Sequence, residues 1–226
     1  MGRWVFLSIF GAGGLAILLG LGVWQMQRLA WKQQILEQIE TRIRAPEVTL
    51  PDRPDPEGDK YLPVQLRGQF SGPDIKVLVS VKQVGAGYRL ISAFVAQDGR
   101  RVLVDRGFVP SAGLAGAPVP QGAFDITGNL HWPQETDSYT PAPDRAQNLW
   151  FARDVDQMAA ALNTLPVLVV LRRADPQIPG SWPIPVDTAG IPNDHLQYAI
   201  TWFSLAAIWL AMTVFFWGRL RPKHQG

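Results

Sequence analysis

Two long stretches of this chain carry no ionisable side chain. Trp4 to Gln27 and Leu196 to Gly218 contain no Asp, Glu, Lys, Arg or His. A helix rising about 1.5 Å per residue needs roughly 20 residues to cross a hydrocarbon core about 30 Å thick. With 24 and 23 residues, each stretch is long enough. Past the first, Trp31, Ile35, Ile39 and Ile43 recur at helical spacing beside polar residues, which carries that helix on to about Arg44, and Pro46 closes it. The Pro- and acid-rich run Pro51 to Asp59 reads as a solvated loop.

From Tyr61 the period changes to two. Val64 to Phe70, Ile75 to Val81, Tyr88 to Ala96 and Arg101 to Val109 read as strands, with Asp98-Gly99 as a tight hairpin turn. Ala112 to Gly122 is a Gly/Pro loop and Phe124 to Leu130 a further strand. Arg153 to Leu162 is a short helix capped by Asp154 or its neighbour, and Val167 to Arg172 an apolar strand. The fold class is a membrane protein of mixed α+β type. Two transmembrane helices flank an extracytoplasmic antiparallel β domain, an open sheet or a small curled barrel, with one or two helices against it.

Charge orients the chain. Arg3, Arg219, Arg221 and Lys223 lie in short acid-free ends, whereas residues 28 to 194 hold the other 17 basic residues and all 19 acidic ones. Cytoplasmic flanks are enriched in Lys and Arg, and long domains are translocated largely regardless of charge. Both termini are therefore expected in the cytoplasm: residues 1–3 as a cytoplasmic start, 4–27 and 195–218 as transmembrane helices, 28–194 as the extracytoplasmic, periplasmic domain, and 219–226 as a cytoplasmic tail. The rival reading of residues 4–27 is a cleavable signal peptide. The run exceeds the about 7–15 residues of a signal core, and no small-x-small cleavage site follows it. Basic residues outside the ends are scattered among more numerous acids, which argues against nucleic acid as a partner.

The chain has no cysteine, which excludes disulfides and thiolate metal or iron–sulfur sites. It also lacks the G-x-S-x-G, P-loop, G-x-G-x-x-G and H-E-x-x-H patterns, so no catalytic residue is assigned. His131 follows a strand and His224 lies in the basic tail, neither with a metal partner at ligand spacing. Asp105 and Arg106 are adjacent in one strand, and a local ion pair is their expected role.

In the first span Ala12, Ala16 and Gly20 recur every four residues in line with Trp24 and Arg28, and such a small-residue stripe lets a second helix approach closely. In the second, His195, Tyr198, Trp202, Leu205 and Trp209 fall on one helix face. An interfacial aromatic belt with an anchoring imidazole would look the same. Topology adds a second consideration, because the outer end of the first span meets the outer start of the second. Trp24, Gln25 and Arg28 thus come to the same membrane surface as His195 and Trp202. A neutral imidazole can ligate iron, aromatic and small-residue faces suit a flat macrocycle, and an Arg at the water boundary can pair with propionates.

Leu21 to Arg28, with its Trp24-Gln25-x-x-Arg28 core, and Asn193 to Phe203, with Asn193-x-His195-x-x-Tyr198-Ala199-x-Thr201-Trp202, resemble the Surfeit-locus-one family of cytochrome oxidase assembly factors. Gly87 to Leu90, Val102 to Pro110, Asn148 to Asp154 and Met158-Ala159 are similar to that family's internal blocks, in order and spacing. Three positions depart from the pattern: Asp105 where Asn is expected, Phe108 where Trp is usual and His131 where Arg is common.

The resemblance implies a non-enzymatic helper in biogenesis of haem–copper oxidases, residing in the bacterial inner membrane. It implies binding of haem a and assistance in its insertion into the oxidase's catalytic subunit. His195 carries over as the haem iron ligand, Tyr198 and Trp202 as its neighbours, and Trp24, Gln25 and Arg28 as the first-span members of the cofactor site. Besides the catalytic subunit and the lipid bilayer, the haem a synthesis machinery and a second copy of the chain stay open as partners. So does a scaffold that holds an assembly intermediate without binding haem.

Overall fold

The structure is a computed structural model. It describes residues 2–82 and 84–220, with backbone only at 115, 116 and 220. The tail charges Arg221 and Lys223, and His224, lie outside the described residues. The chain divides into two compact units: the residues up to Gln38 together with those from Thr188 onward, and Ile39–Asp187.

The first unit is built from helices α1 (Gly2–Ile43) and α3 (His195–Leu220), both long and apolar enough to cross a membrane. Helix α1 does run on past the apolar stretch and stops before Pro46, as the periodicity predicts.

The second unit contains β1 (Val48–Thr49), β2 (Pro63–Val81), β3 (Gly85–Ala96), β4 (Arg101–Pro110), a 3-10 turn at Ser111–Gly116, β5 (Ala123–His131), β6 (Leu149–Trp150), α2 (Val155–Leu162) and β7 (Leu168–Asp175). Strands pair in the order β1-β2-β3-β4-β7-β5, and β5 returns to β2. The sheet therefore closes into a five-stranded barrel of β2, β3, β4, β7 and β5, which leaves its main strands without a free edge. Four of the five barrel pairings are antiparallel as expected, but β4 and β7 run parallel, because a closed ring with an odd number of strands cannot alternate throughout; the short β1 and β6 also pair parallel with β2.

The two strands expected at 64–70 and 75–81 are one long strand. Its register against β3 shifts between Ser71 and Ile75, where Gly72 has φ 75°. A glycine takes this conformation without steric cost, so the strand bends instead of ending.

Side-chain parity divides the core. Val102 and Val104 join Val64, Phe70, Phe94, Ile126 and Val169 in one cluster. Leu103 joins Ile75, Ile91 and Val170 in another, covered by Trp150, Val155, Met158 and Leu162. Strand β4 and the first half of β7 are thus buried on both faces, which accounts for their unbroken apolar runs. Helix α2 has the expected cap, since Asp154 accepts from the Gln157 backbone N–H at 3.0 Å, and so begins at Val155, two residues after the expected Arg153. The Asp98-Gly99 turn is also present, with Gly99 at φ 85°.

Parity explains why the expected Asp105–Arg106 ion pair does not form. Neighbours on a strand point to opposite faces. Arg106 lies on the side of Val102 and Val104, where its Nε donates to Ser92 Oγ at 2.8 Å and it pairs with Asp74. Asp105 lies on the other side, pairing with Arg89 at 2.7 Å and Arg153 at 3.2 Å.

Candidate functional site

The two membrane helices pack as an antiparallel pair, and the pairing residues follow a heptad. On α1 the buried and half-buried positions are Trp4, Leu7, Gly11, Gly14, Leu18, Leu21 and Gln25, with Leu15 and Gly22 beside them. On α3 they are His195, Ala199, Trp202, Ala206, Trp209 and Thr213. Alternating steps of three and four residues keep one seam facing the partner.

Glycines set the closeness of approach. A Cβ at Gly11 would meet Thr213, one at Gly14 would lie 2.5 Å from the Trp209 ring, and one at Gly22 2.6 Å from Phe203. The Trp209 Nε1–H donates to the Gly11 carbonyl at 2.9 Å, and Trp4 packs edge-on against Trp217 at 5.6 Å.

This corrects the small-residue stripe read from sequence. Ala12, Ala16 and Gly20 are exposed, and a Cβ at Gly20 would meet nothing within 4 Å. The packing stripe is the neighbouring one, through Gly11, Gly14 and Gly22. Its signal was the 3-4 spacing from Trp4 to Gln25, which an every-fourth-residue stripe does not capture.

At the end of the seam His195 and Gln25 meet. His195 is the first residue of α3 and half-buried, and its Nδ1 lies 2.8 Å from Gln25 Oε1. Gln25 is only 8% exposed. Just before the helix, the Asp194 carbonyl accepts from the Tyr198 backbone N–H at 3.1 Å, and Asn193 Oδ1 is buried with no partner among the described residues.

The other sequence candidates divide between the seam and the outer surface. Trp202 is half-buried in the seam. Trp24 and Tyr198, 47% and 55% exposed, turn away from it. Arg28 is exposed and its guanidinium lies 5.6 Å from the Trp24 ring and 5.3 Å from the Trp31 ring. Among the described residues it makes no ion pair.

An amide oxygen can only accept, so the His195–Gln25 contact requires the proton on Nδ1. Nε2 then keeps its lone pair. Among the described residues no cluster of three or more His, Asp or Glu side chains could hold a bare metal ion.

The β domain carries a second set of buried charges. Burial raises the Asp74 carboxyl above its ordinary range despite Arg106 and Ser92, and burial lowers Arg106 despite Asp74. Burial also pushes Glu135 up, but its hydrogen bonds with Arg153 and that cation's charge outweigh it and leave it lowered. Of the three departures from the family pattern, Asp105 bridges Arg89 and Arg153, Phe108 is fully buried 5.4 Å from the Trp182 ring, and His131 stacks on Tyr61 at 5.5 Å. Each has an internal structural partner.

Two long apolar helices, before and after a β-barrel domain in the chain, are the pattern of a membrane-anchored protein. The SURF1 family profile matches residues 13–207. A SURF1-like protein of Monosiga brevicollis is 31% identical over 231 residues, covering 94% of this chain and 86% of the relative. Surfeit locus protein 1 of Rattus norvegicus is 30% identical over 216 residues, with 85% and 69% covered. Surfeit locus protein 1 of Homo sapiens is 29% identical over 229 residues, with 91% and 74% covered. The chain belongs to the SURF1 family, and that membership implies a role in cytochrome c oxidase assembly.

Proposed function

We propose that this protein binds haem a as cargo and assists its insertion into the catalytic subunit of a haem–copper oxidase. It acts as a carrier and not as a catalyst. The observation that carries the reading is the 2.8 Å contact between His195 Nδ1 and Gln25 Oε1, which leaves Nε2 free to ligate iron. A porphyrin brings its own four equatorial nitrogens, so a single imidazole is enough to anchor it.

The surrounding residues fit the rest of such a cargo. Trp24 and Tyr198, exposed on the outer surface of the helix pair, offer aromatic surface to a flat macrocycle, while Trp202 lies half-buried in the seam. Arg28, with no carboxylate partner among the described residues, suits a propionate. Haem a brings the redox-active iron; the chain's residues hold it, orient it and shield it at the membrane edge. The charge pattern supports an orientation with both ends in the cytoplasm and residues 28–194 outside; the proposed location is a bacterial inner membrane. The oxidase catalytic subunit is then the receiving partner and the haem a synthesis machinery the supplier.

The test is the visible spectrum of the detergent-purified chain made in a cell that produces haem a. A Soret band is expected, abolished or shifted in His195→Ala at near-normal abundance. Arg28→Ala should weaken retention less, since an ion pair at a wet boundary contributes only about 0–1 kcal/mol. An unchanged spectrum in the His195 variant would overturn the ligand assignment. Purified protein without any Soret band would favour a scaffold that holds an assembly intermediate.

A further inference from the structure

The barrel unit carries a partly open cavity of about 360 Å³ that the haem reading does not use. One wall is the end of β7, where the register against β5 shifts between Thr127 and Gly128 and leaves Arg172 without a ladder partner. The other wall is the strap that follows β7. Ile178 anchors this strap in the core. Trp182 pins it again, donating to the Phe108 carbonyl at 3.1 Å and accepting from the Phe108 N–H at 2.9 Å. The cavity is therefore built into the fold and is not a gap under a free loop. Its volume falls within the range of small-ligand sites.

The charged lining is all cationic: Arg106, Arg172 and Arg173, with no Asp or Glu. Asp74 balances Arg106. Arg172 is not matched in the same way. It forms a loose ion pair with Glu47, 4.0 Å from Nη1 and longer than a hydrogen bond; its side chain is 32% exposed, but Nη1 itself is buried without a hydrogen-bond partner. Ser181 Oγ, on the same cavity, is also buried and unpartnered. Two residues that line one cavity thus each carry a buried polar atom without a partner, an arrangement that an acceptor-rich ligand would relieve. Leu171 and Pro183 give the remaining wall an apolar character.

The geometry points to a binding site for a small organic anion, a carboxylate or phosphate monoester on an apolar body, held by Arg172 and Ser181. Charge complementarity and the planar donor set of a guanidinium favour such a head group. The apolar wall favours an organic body over a bare inorganic ion.

Titration calorimetry on the full-length, detergent-purified chain tests this, with phenylacetate, phenyl phosphate and inorganic phosphate as separate probes. Saturable binding of at least one organic anion is expected, tighter than inorganic phosphate. Arg172→Gln should weaken it by about tenfold or more, the loss of a charge-assisted hydrogen bond. Ser181→Ala should weaken it measurably, and Arg67→Gln, at an exposed pair with Asp125 outside this cavity, should leave it unchanged. No saturable binding of either organic anion would overturn the proposal, as would unaltered affinity in a folded Arg172→Gln chain. Should that variant fail to fold, unaltered affinity in Ser181→Ala overturns it instead. Equal affinity for inorganic phosphate would overturn the organic-ligand assignment.

Discussion

His195 Nδ1 and Gln25 Oε1 lie 2.8 Å apart, joining the first residue of one membrane helix to a buried residue of the other. Because the amide oxygen accepts, Nδ1 must carry the proton in this contact, so in the neutral ring the bare nitrogen is Nε2. The chain has only three histidines, so nitrogen NMR of histidine-labelled protein can resolve this one. At alkaline pH the wild-type ring should show the Nδ1–H tautomer, and Gln25→Leu should shift it toward a mixture. A predominantly Nε2–H ring in the wild type would contradict the contact. The experiment needs no haem, so its failure is separable from that of the cargo reading.

The helix seam makes a second prediction. A side chain at Gly14 would collide with the Trp209 ring, whereas one at Gly20 meets nothing. Gly14→Leu should lower stability in detergent by about 1–3 kcal/mol through overpacking, and Gly20→Leu should be close to neutral. Thermal unfolding followed by tryptophan fluorescence checks the pair. The reverse order would restore the Ala12, Ala16 and Gly20 stripe as the interface.

Much of the architecture was legible because the signals were strong and local. Charge-free runs gave the membrane helices, alternation gave most strands, and Asp98-Gly99 and Asp154 gave a turn and a cap. What escaped depended on partners distant in sequence. The parallel β4–β7 pair follows from closure of the barrel, which no local period encodes. Asp105 and Arg106 looked like a pair because adjacency is visible and strand parity is easily overlooked. At the candidate site the approach of Gln25 to His195 was legible from the antiparallel topology, but not the division into a seam, with Gln25, His195 and Trp202, and an outer surface, with Trp24, Arg28 and Tyr198. That division depends on which helix face meets the partner.

Two glycines with positive φ should respond differently to the same substitution. Gly99 has φ 85° and open space around a Cβ, whereas Gly107 has φ 98° and a Cβ there would meet the Trp182 carbonyl and Pro183. Gly99→Ala should cost about 1 kcal/mol, the backbone penalty alone. Gly107→Ala should cost about 3 kcal/mol or more, because the clash also pushes away the strap bonded to Phe108. Denaturant unfolding of the full-length chain measures both. Equal losses would mean that the strap yields freely.

Acid sensitivity should trace to His131. Burial, helped by the charges of Arg153 and Lys60 and opposed by Glu135, lowers its pKa to about 4 from the ordinary 6.5. The unfolded chain therefore binds the proton more readily than the folded one between those values. The stability this group contributes is fully present above pH 6.5 and is lost as pH falls toward 4. The loss should be about 1–3 kcal/mol, below the full value of the shift because the ring is only partly buried. His131→Phe keeps the stack on Tyr61 and removes the titration, so its stability should fall less between pH 6.5 and 4.5 than that of the wild type. Denaturant melts at several pH values in that window provide the measurement, and parallel losses in the two proteins would rule out His131 as the source.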